Sequence, residues 1–227
     1  MSARSTRVWV SGVAISLLCA CALPQPVEQL NRELDGEAPK GERLEAVHTD
    51  LIRGMLSQGQ IYAALAHIQE QENTRGPRPE LRLLKAEALS LQGDRAAAEQ
   101  LYQGLLRSEF AGEAHHGLGL LYANLEPGAA VGHLEQAVRR RPTNARFRND
   151  LGYALMRAGR YSEAQRQLAT AVELEPSVQR WQGNLILLLL LSGDEAAARQ
   201  WMQRAQISAD TEAALRRQAA KMRSGQS

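Results

Sequence analysis

The feature that most limits what this 227-residue chain can fold into is that it repeats itself. Five segments, QIYAALAHI, DRAAAEQLY, EPGAAVGHL, RYSEAQRQL and DEAAARQWM, carry an alanine at a matching point: Ala64, Ala98, Ala130, Ala164 and Ala198. The steps between them are 34, 32, 34 and 34 residues. Glycines keep the same step, from Gly59 to Gly93 and from Gly159 to Gly193. A period of this size means one supersecondary unit stacked on copies of itself, since a single unit cannot bury its own apolar face. Composition says what the unit is made of. Aromatics are only 4% of the chain, while Ala, Leu, Gln, Glu and Arg dominate. These side chains lose little rotamer freedom in a helix. The chain is expected to be all-α.

The fourth unit, NARFRNDLGYALMRAGRYSEAQRQLATAVELEP, resembles the tetratricopeptide repeat, a helix–turn–helix unit of 34 residues. With Ala145 as position 1, Leu151 and Gly152 take positions 7 and 8, Leu155 position 11, Ala164 position 20, Leu168 position 24, Ala171 position 27 and Pro176 position 32. Small residues at 8 and 20 let the two helices of a hairpin approach closely. The leucines fill the space between them, and Pro176 helps stop the second helix. Other units are looser. The third keeps Leu118, Gly119, Tyr122, Ala130, Leu134, Ala137 and Pro142 but loses two residues at its turn. The first is the most divergent, with Ile52 and Gln71 where small residues are usual. The resemblance implies an α-solenoid of about five repeats across 44–209, near 45–78, 79–111, 112–144, 145–178 and 179–209. A capping helix at 210–223 and a disordered tail at 224–227 are expected to follow.

The run LILLLLL, Leu185 to Leu191, then acquires a place. Seven residues cannot span a bilayer, which needs about 20. In the 34-residue frame the run belongs to the first helix of the fifth repeat. Leu185, Ile186 and Leu189 fall at core positions. Leu187, Leu190 and Leu191 fall at 9, 12 and 13, which in this family face the concave groove. A helix apolar all round must be covered on every side. Either DTEAALRRQAAKM, Asp210 to Met222, folds back over it or a partner does, and the terminal segment is the expected cover.

The first twenty residues are a separate object. Arg4 and Arg7 precede VWVSGVAISLLCA, and no acidic residue occurs before Glu28. A basic start followed by a short apolar stretch is a secretory signal. Its end, Leu18-Cys19-Ala20-Cys21, resembles a bacterial lipobox, with Leu18 at −3 and Ala20 at −1 of a lipidated Cys21. An ordinary cleaved signal and an uncleaved anchor are the alternatives. Removal of the signal leaves Cys21 as the sole thiol and leaves no disulfide. Without Arg4 and Arg7 the 27 basic residues fall to 25, equal to the 25 acidic ones. That balance gives no support to nucleic-acid binding. Residues 21–43 read as the lipidated cysteine and a flexible tether with an r.m.s. span of roughly 25 Å.

Motifs for catalysis are missing. GLGLLY at Gly117–Tyr122 lacks the third glycine and the preceding strand of a dinucleotide site. Neither a nucleophile elbow nor an H-E-x-x-H zinc motif occurs. His115 and His116 are adjacent and project about 100° apart on a helix, so both cannot face one metal. No cofactor, metal, small-molecule substrate or enzymatic role is expected. Five arginines in RRRPTNARFR end one helix and begin the next, where Arg139–Arg141 complement a helix C-terminus. The family's pattern builds its groove from positions 2, 5, 9, 12 and 13 of each first helix. Those positions give Glu80, Leu83, Glu87 and Leu91, then His116, Leu120 and Asn124, then Arg146, Asn149, Tyr153, Met156 and Arg157. Tyr153 is the expected partner contact, since an aromatic on a rigid helix is a typical anchor.

Signal, tether, repeats and terminal helix together resemble the TadD lipoproteins of tight-adherence (Flp) pilus systems, most closely over Asn149–Asp194. The resemblance implies an outer-membrane lipoprotein, facing the periplasm, that binds a secretin or another pilus component. Two other readings remain: a pilotin of the PilF type, and an adaptor for an envelope protease or peptidoglycan enzyme.

Overall fold

In a computed structural model, which describes residues 40–225, each element is a helix. The signal, Cys21 and residues 22–39 of the expected tether lie outside the described residues, as do residues 226–227, and the last four tether positions, 40–43, are already helical. Eleven helices follow in order: α1 Lys40–Ser57, α2 Ile61–Arg75, α3 Pro79–Gln92, α4 Arg95–Leu105, α5 Ala111–Tyr122 and α6 Pro127–Arg140, then α7 Ala145–Arg157, α8 Tyr161–Leu174, α9 Gln179–Ser192, α10 Glu195–Arg204 and α11 Ala209–Ser224. From Glu45 onward they form one unit. Two to four residues connect α1 to α2, α3 to α4, α5 to α6, α7 to α8 and α9 to α10, so each pair is a tight hairpin. The hairpins stack, and α11 packs on α9.

The turns show how the sequence cuts the helices. At Gly93 and Gly193 the chain enters the left-handed region, with φ of 93° and 82°. That conformation suits a residue without Cβ. The following aspartates, Asp94 and Asp194, donate their N–H to Leu89 and Leu189 carbonyls at 2.9 Å. Their side chains then cap the next helix, accepting from Ala97 N at 3.2 Å and Ala197 N at 3.0 Å. One Gly-Asp pair thus ends one helix and starts its partner. The third hairpin lacks this device. Its first helix has 12 residues, and Pro127 opens the second at a first-turn position where a missing N–H costs nothing.

Inside the hairpins the small residues mark real contacts. A Cβ on Gly152 would lie 2.6 Å from Leu168 Cγ and 3.2 Å from the Ala164 carbonyl. On Gly119 it would lie 2.6 Å from Leu134 Cγ and 3.3 Å from the Ala130 carbonyl. The glycine-to-alanine seam of the repeat is therefore the same object in the third and fourth hairpins. Gly112, which does not belong to this seam, is buried as well. A Cβ there would stand 3.1 Å from Arg141 Cγ and 3.4 Å from Arg140 Cβ, because the following loop folds over the start of α5.

The core follows the stack in three stretches. Ile52, Leu56, Ala64 and Ile68 join Leu81 and Leu84 at one end. Tyr102 and Leu105 join Ala114 and Leu118 next, and a larger cluster continues from Leu134 to the terminal helix. All seven residues of Leu185–Leu191 are buried there, none more than 7% exposed. Leu215, Ala219 and Met222 of α11 pack against this cluster, so the terminal helix covers the run. Ser208 caps α11 by accepting from Thr211 N at 3.2 Å. The helix continues through Ser224, one residue into the segment expected to be an unstructured tail.

Candidate functional site: a recess on the inner face

The first helices of successive repeats lie side by side, and residues one period apart meet across them. His116 Nε2 lies 2.8 Å from Asp150 Oδ2. Asn149 Nδ2 donates to Asp150 Oδ1 at 3.0 Å, and Asn184 Nδ2 donates to Asn149 Oδ1 at 2.8 Å. Arg157 donates to Asn124 Oδ1 at 2.8 Å and to the Ala123 carbonyl at 3.3 Å. The His116 ring also stacks on Phe147, centroids 4.5 Å apart. These links tie α5, α7 and α9 together by polar contacts in an otherwise apolar stack. Burial alone would raise the Asp150 carboxyl, but the hydrogen bond and charge of His116, helped by Asn149 and Arg180, hold it below the ordinary carboxylate value. An ionised carboxylate only accepts, so His116 Nε2 carries the proton in this pair.

Above this ladder is an open recess of about 470 Å³. Leu120, Leu134 and Ala154 supply apolar surface. Tyr153, Asn124, Arg157, Arg180 and, from α11, Gln218 add polar groups to the lining. A smaller hollow of about 130 Å³ continues past Leu120, where Glu87, Leu91, Glu113 and Arg146 meet. Leu91 and Leu120 are 58% and 44% exposed, so apolar surface lies open along this face. Burial pushes the Glu87 carboxyl above its usual value despite the nearby Arg146 and Arg53.

Of the ten groove residues read from the repeat frame, four are accessible: Asn124, Tyr153 and Arg157 in the large recess and Arg146 in the small one. The other six are corrected. His116 at 5% exposure and Asn149 at 0% lie in the ladder between adjacent helices, with only an edge of His116 reaching the smaller hollow. Met156 is fully buried in the core. Leu187, Leu190 and Leu191 lie under α11 and line no open surface. Asp150, Arg180, Asn184 and Gln218 belong to the site without having been expected there. The signal for two of them was present: Arg180 repeats Arg146 at position 2, and Asn184 repeats Asp150 at position 6. Gln218 had none, because the capping helix lies outside the repeat frame. Among the described residues no group of three or more His, Cys, Asp or Glu is placed to hold a metal. None of the described helices is long and apolar enough to cross a membrane.

Known proteins agree with this architecture. A tetratricopeptide-repeat family model matches residues 116–164 and 149–220. The TPR repeat-containing protein PA4299 of Pseudomonas aeruginosa is 38% identical over 202 residues, covering 87% of this chain and 78% of that protein. Among solved structures, MamA (41-end) from Desulfovibrio magneticus RS-1 superposes with a TM-score of 0.57 at 20% identity, over 71% of this chain and 92% of that one. At that identity the likeness concerns the fold alone. An O-GlcNAc transferase mutant of Thermobaculum terrenum superposes at 0.50 with 28% identity over 56% of this chain, but only 26% of the larger protein. Matching period, hairpin seams and relatives lead to one statement: the chain belongs to the tetratricopeptide-repeat family.

Proposed function

We propose that this protein is a non-catalytic scaffold that holds a segment of another protein on its inner face, on behalf of tight-adherence pilus assembly at the outer membrane. The observation that carries the binding role is the open recess at Tyr153. An aromatic side chain there stands beside exposed Leu120 in a cavity of about 470 Å³, within the 300–1,000 Å³ usual for ligand sites. The pilus assignment rests on the resemblance of the signal, Cys21, tether and repeats to TadD lipoproteins. A secretin or another pilus component supplies the bound segment, and lipidated Cys21 keeps the scaffold at the membrane.

A chromosomal deletion complemented with Tyr153→Ala tests this reading. Expected are a folded protein at normal abundance, loss of surface pili and loss of secretin multimers in the membrane fraction. Normal piliation in the deletion strain itself would overturn the pilus assignment. Normal piliation with Tyr153→Ala alone would move the contact away from the recess.

A further inference from the structure

The charges of the inner face are not neutralised evenly. Glu113 is paired with Arg141 at 3.2 Å. Glu87 is half-buried, which raises its carboxyl above the usual value, and the nearby Arg146 and Arg53 oppose that shift. Asp150 is buried and held by His116 and Asn149. The arginines are in a different position. Arg157 reaches only a carbonyl and the Asn124 amide, and Arg146 makes no ion pair within 4.0 Å among the described residues. Arg180 is 69% exposed at 3.8 Å from Asp150. What faces an incoming molecule is therefore cationic around an apolar floor.

We infer that the occupant is an acidic amphipathic protein segment, its aromatic or large aliphatic anchor seated in the recess and carboxylates on either side meeting the arginines. This rests on the binding role proposed above and adds the chemistry of the partner. Guanidinium groups suit it, because they pair with carboxylates through two parallel N–H···O bonds. Helix geometry sets the spacing. Arg146 and Arg157 stand at opposite ends of α7, eleven residues or about 17 Å apart at 1.5 Å per residue. An extended segment rising about 3.3 Å per residue crosses that distance in about five residues. The expected pattern is two acidic residues about five positions apart with the anchor between them. Nucleic acid would satisfy the arginines but leaves the apolar lining of the recess, with Leu120 and Leu134, without a matching group.

Selection of a random 12-residue peptide library on the purified full chain in detergent tests the inference. The expected outcome is enrichment of peptides with paired Asp or Glu around an aromatic, Leu or Met. Synthetic copies with those acids changed to Asn or Gln should bind at least tenfold more weakly in fluorescence anisotropy. Arg146→Glu should weaken the selected peptides at least tenfold, whereas Arg199→Glu on α10 should leave them unchanged. Arg146 makes no ion pair within 4.0 Å among the described residues, so its reversal keeps the test informative even where Arg157→Glu loosens the stack. Affinity should also fall steeply between 50 and 500 mM salt. Enrichment of neutral or basic peptides, no enrichment, indifference to Arg146→Glu, or equal competition by a single-stranded DNA oligonucleotide would each overturn it. The outcomes separate from the pilus reading. An acidic consensus in a protein not needed for piliation sinks only the pilus assignment, and charge-blind peptides sink only this one.

Discussion

Gly152 and Gly183 are both helical glycines, but their surroundings are opposite. An added Cβ at Gly152 meets Leu168 Cγ at 2.6 Å, whereas at Gly183 it meets nothing within 4 Å. Gly152→Ala should overpack the hairpin and cost on the order of 1–3 kcal/mol. Gly183→Ala should instead stabilise α9 by roughly 0.5–1 kcal/mol through helix propensity. Thermal melts must move in opposite directions, and shifts of the same sign would mean the seam is misplaced. A second residue-level expectation concerns acid. His115 Nδ1 and His133 Nδ1 lie 3.0 Å apart across α5 and α6. Partial burial holds both rings below the ordinary histidine value, and at His115 the charge of His133, then of Arg140 and Arg139, adds to this. Glu99, hydrogen-bonded by Tyr122, opposes it at His133. Histidines with lowered folded values bind protons more readily unfolded, so stability is retained above the unfolded value of about 6.5 and is lost as pH falls below it. The melting temperature should drop between pH 7.5 and 5, and His115→Gln with His133→Gln should flatten that drop. An unchanged pH profile in the double variant would remove the pair from the explanation.

At the scale of elements, α9 and α11 are one decision. Leu187, Leu190 and Leu191 are each at most 7% exposed beneath the terminal helix. Truncation after Ser208 uncovers three leucines, each worth about 1.5–3 kcal/mol when buried. The shortened protein should melt earlier and self-associate, as read by circular dichroism and light scattering; an unchanged melt with a monomeric product would contradict the cap. This pair also shows where sequence reading stops. The period placed the hairpins and their turn glycines, because each depends on residue types at fixed separations, and the all-round apolar face of Leu185–Leu191 called for the capping helix. Accessibility at positions 5, 9, 12 and 13 depends instead on how far the next helix intrudes. His116 and Asn149 are swallowed because Asp150 and Asn184 offer them partners one repeat away. The leucines are swallowed because α11 occupies the groove's end. Tyr153 stays accessible where neither happens, and Arg157 stays exposed because its partners, Asn124 and the Ala123 carbonyl, lie at the helix ends at the rim of the recess.

For the whole molecule, anchoring and binding should be separable. Three acyl chains on Cys21 would exceed the two signals needed for stable attachment, so Cys21→Ala should release the protein from the membrane fraction without altering the melt of the repeats. Persistent sedimentation with outer membranes in high salt would refute lipidation. Within the array, the ladder from His116 through Asp150 and Asn149 to Asn184 has a mechanical consequence. Alanine and leucine surfaces slide over one another at little cost, so apolar packing alone leaves the pitch of a solenoid adjustable. A sideways slip of one helix here strands a buried carboxylate, a loss of about 3–5 kcal/mol. The ladder therefore works as a detent. His116→Leu with Asp150→Leu should leave a folded array whose small-angle scattering shows a broader spread of curvatures, a ruler turned into a spring.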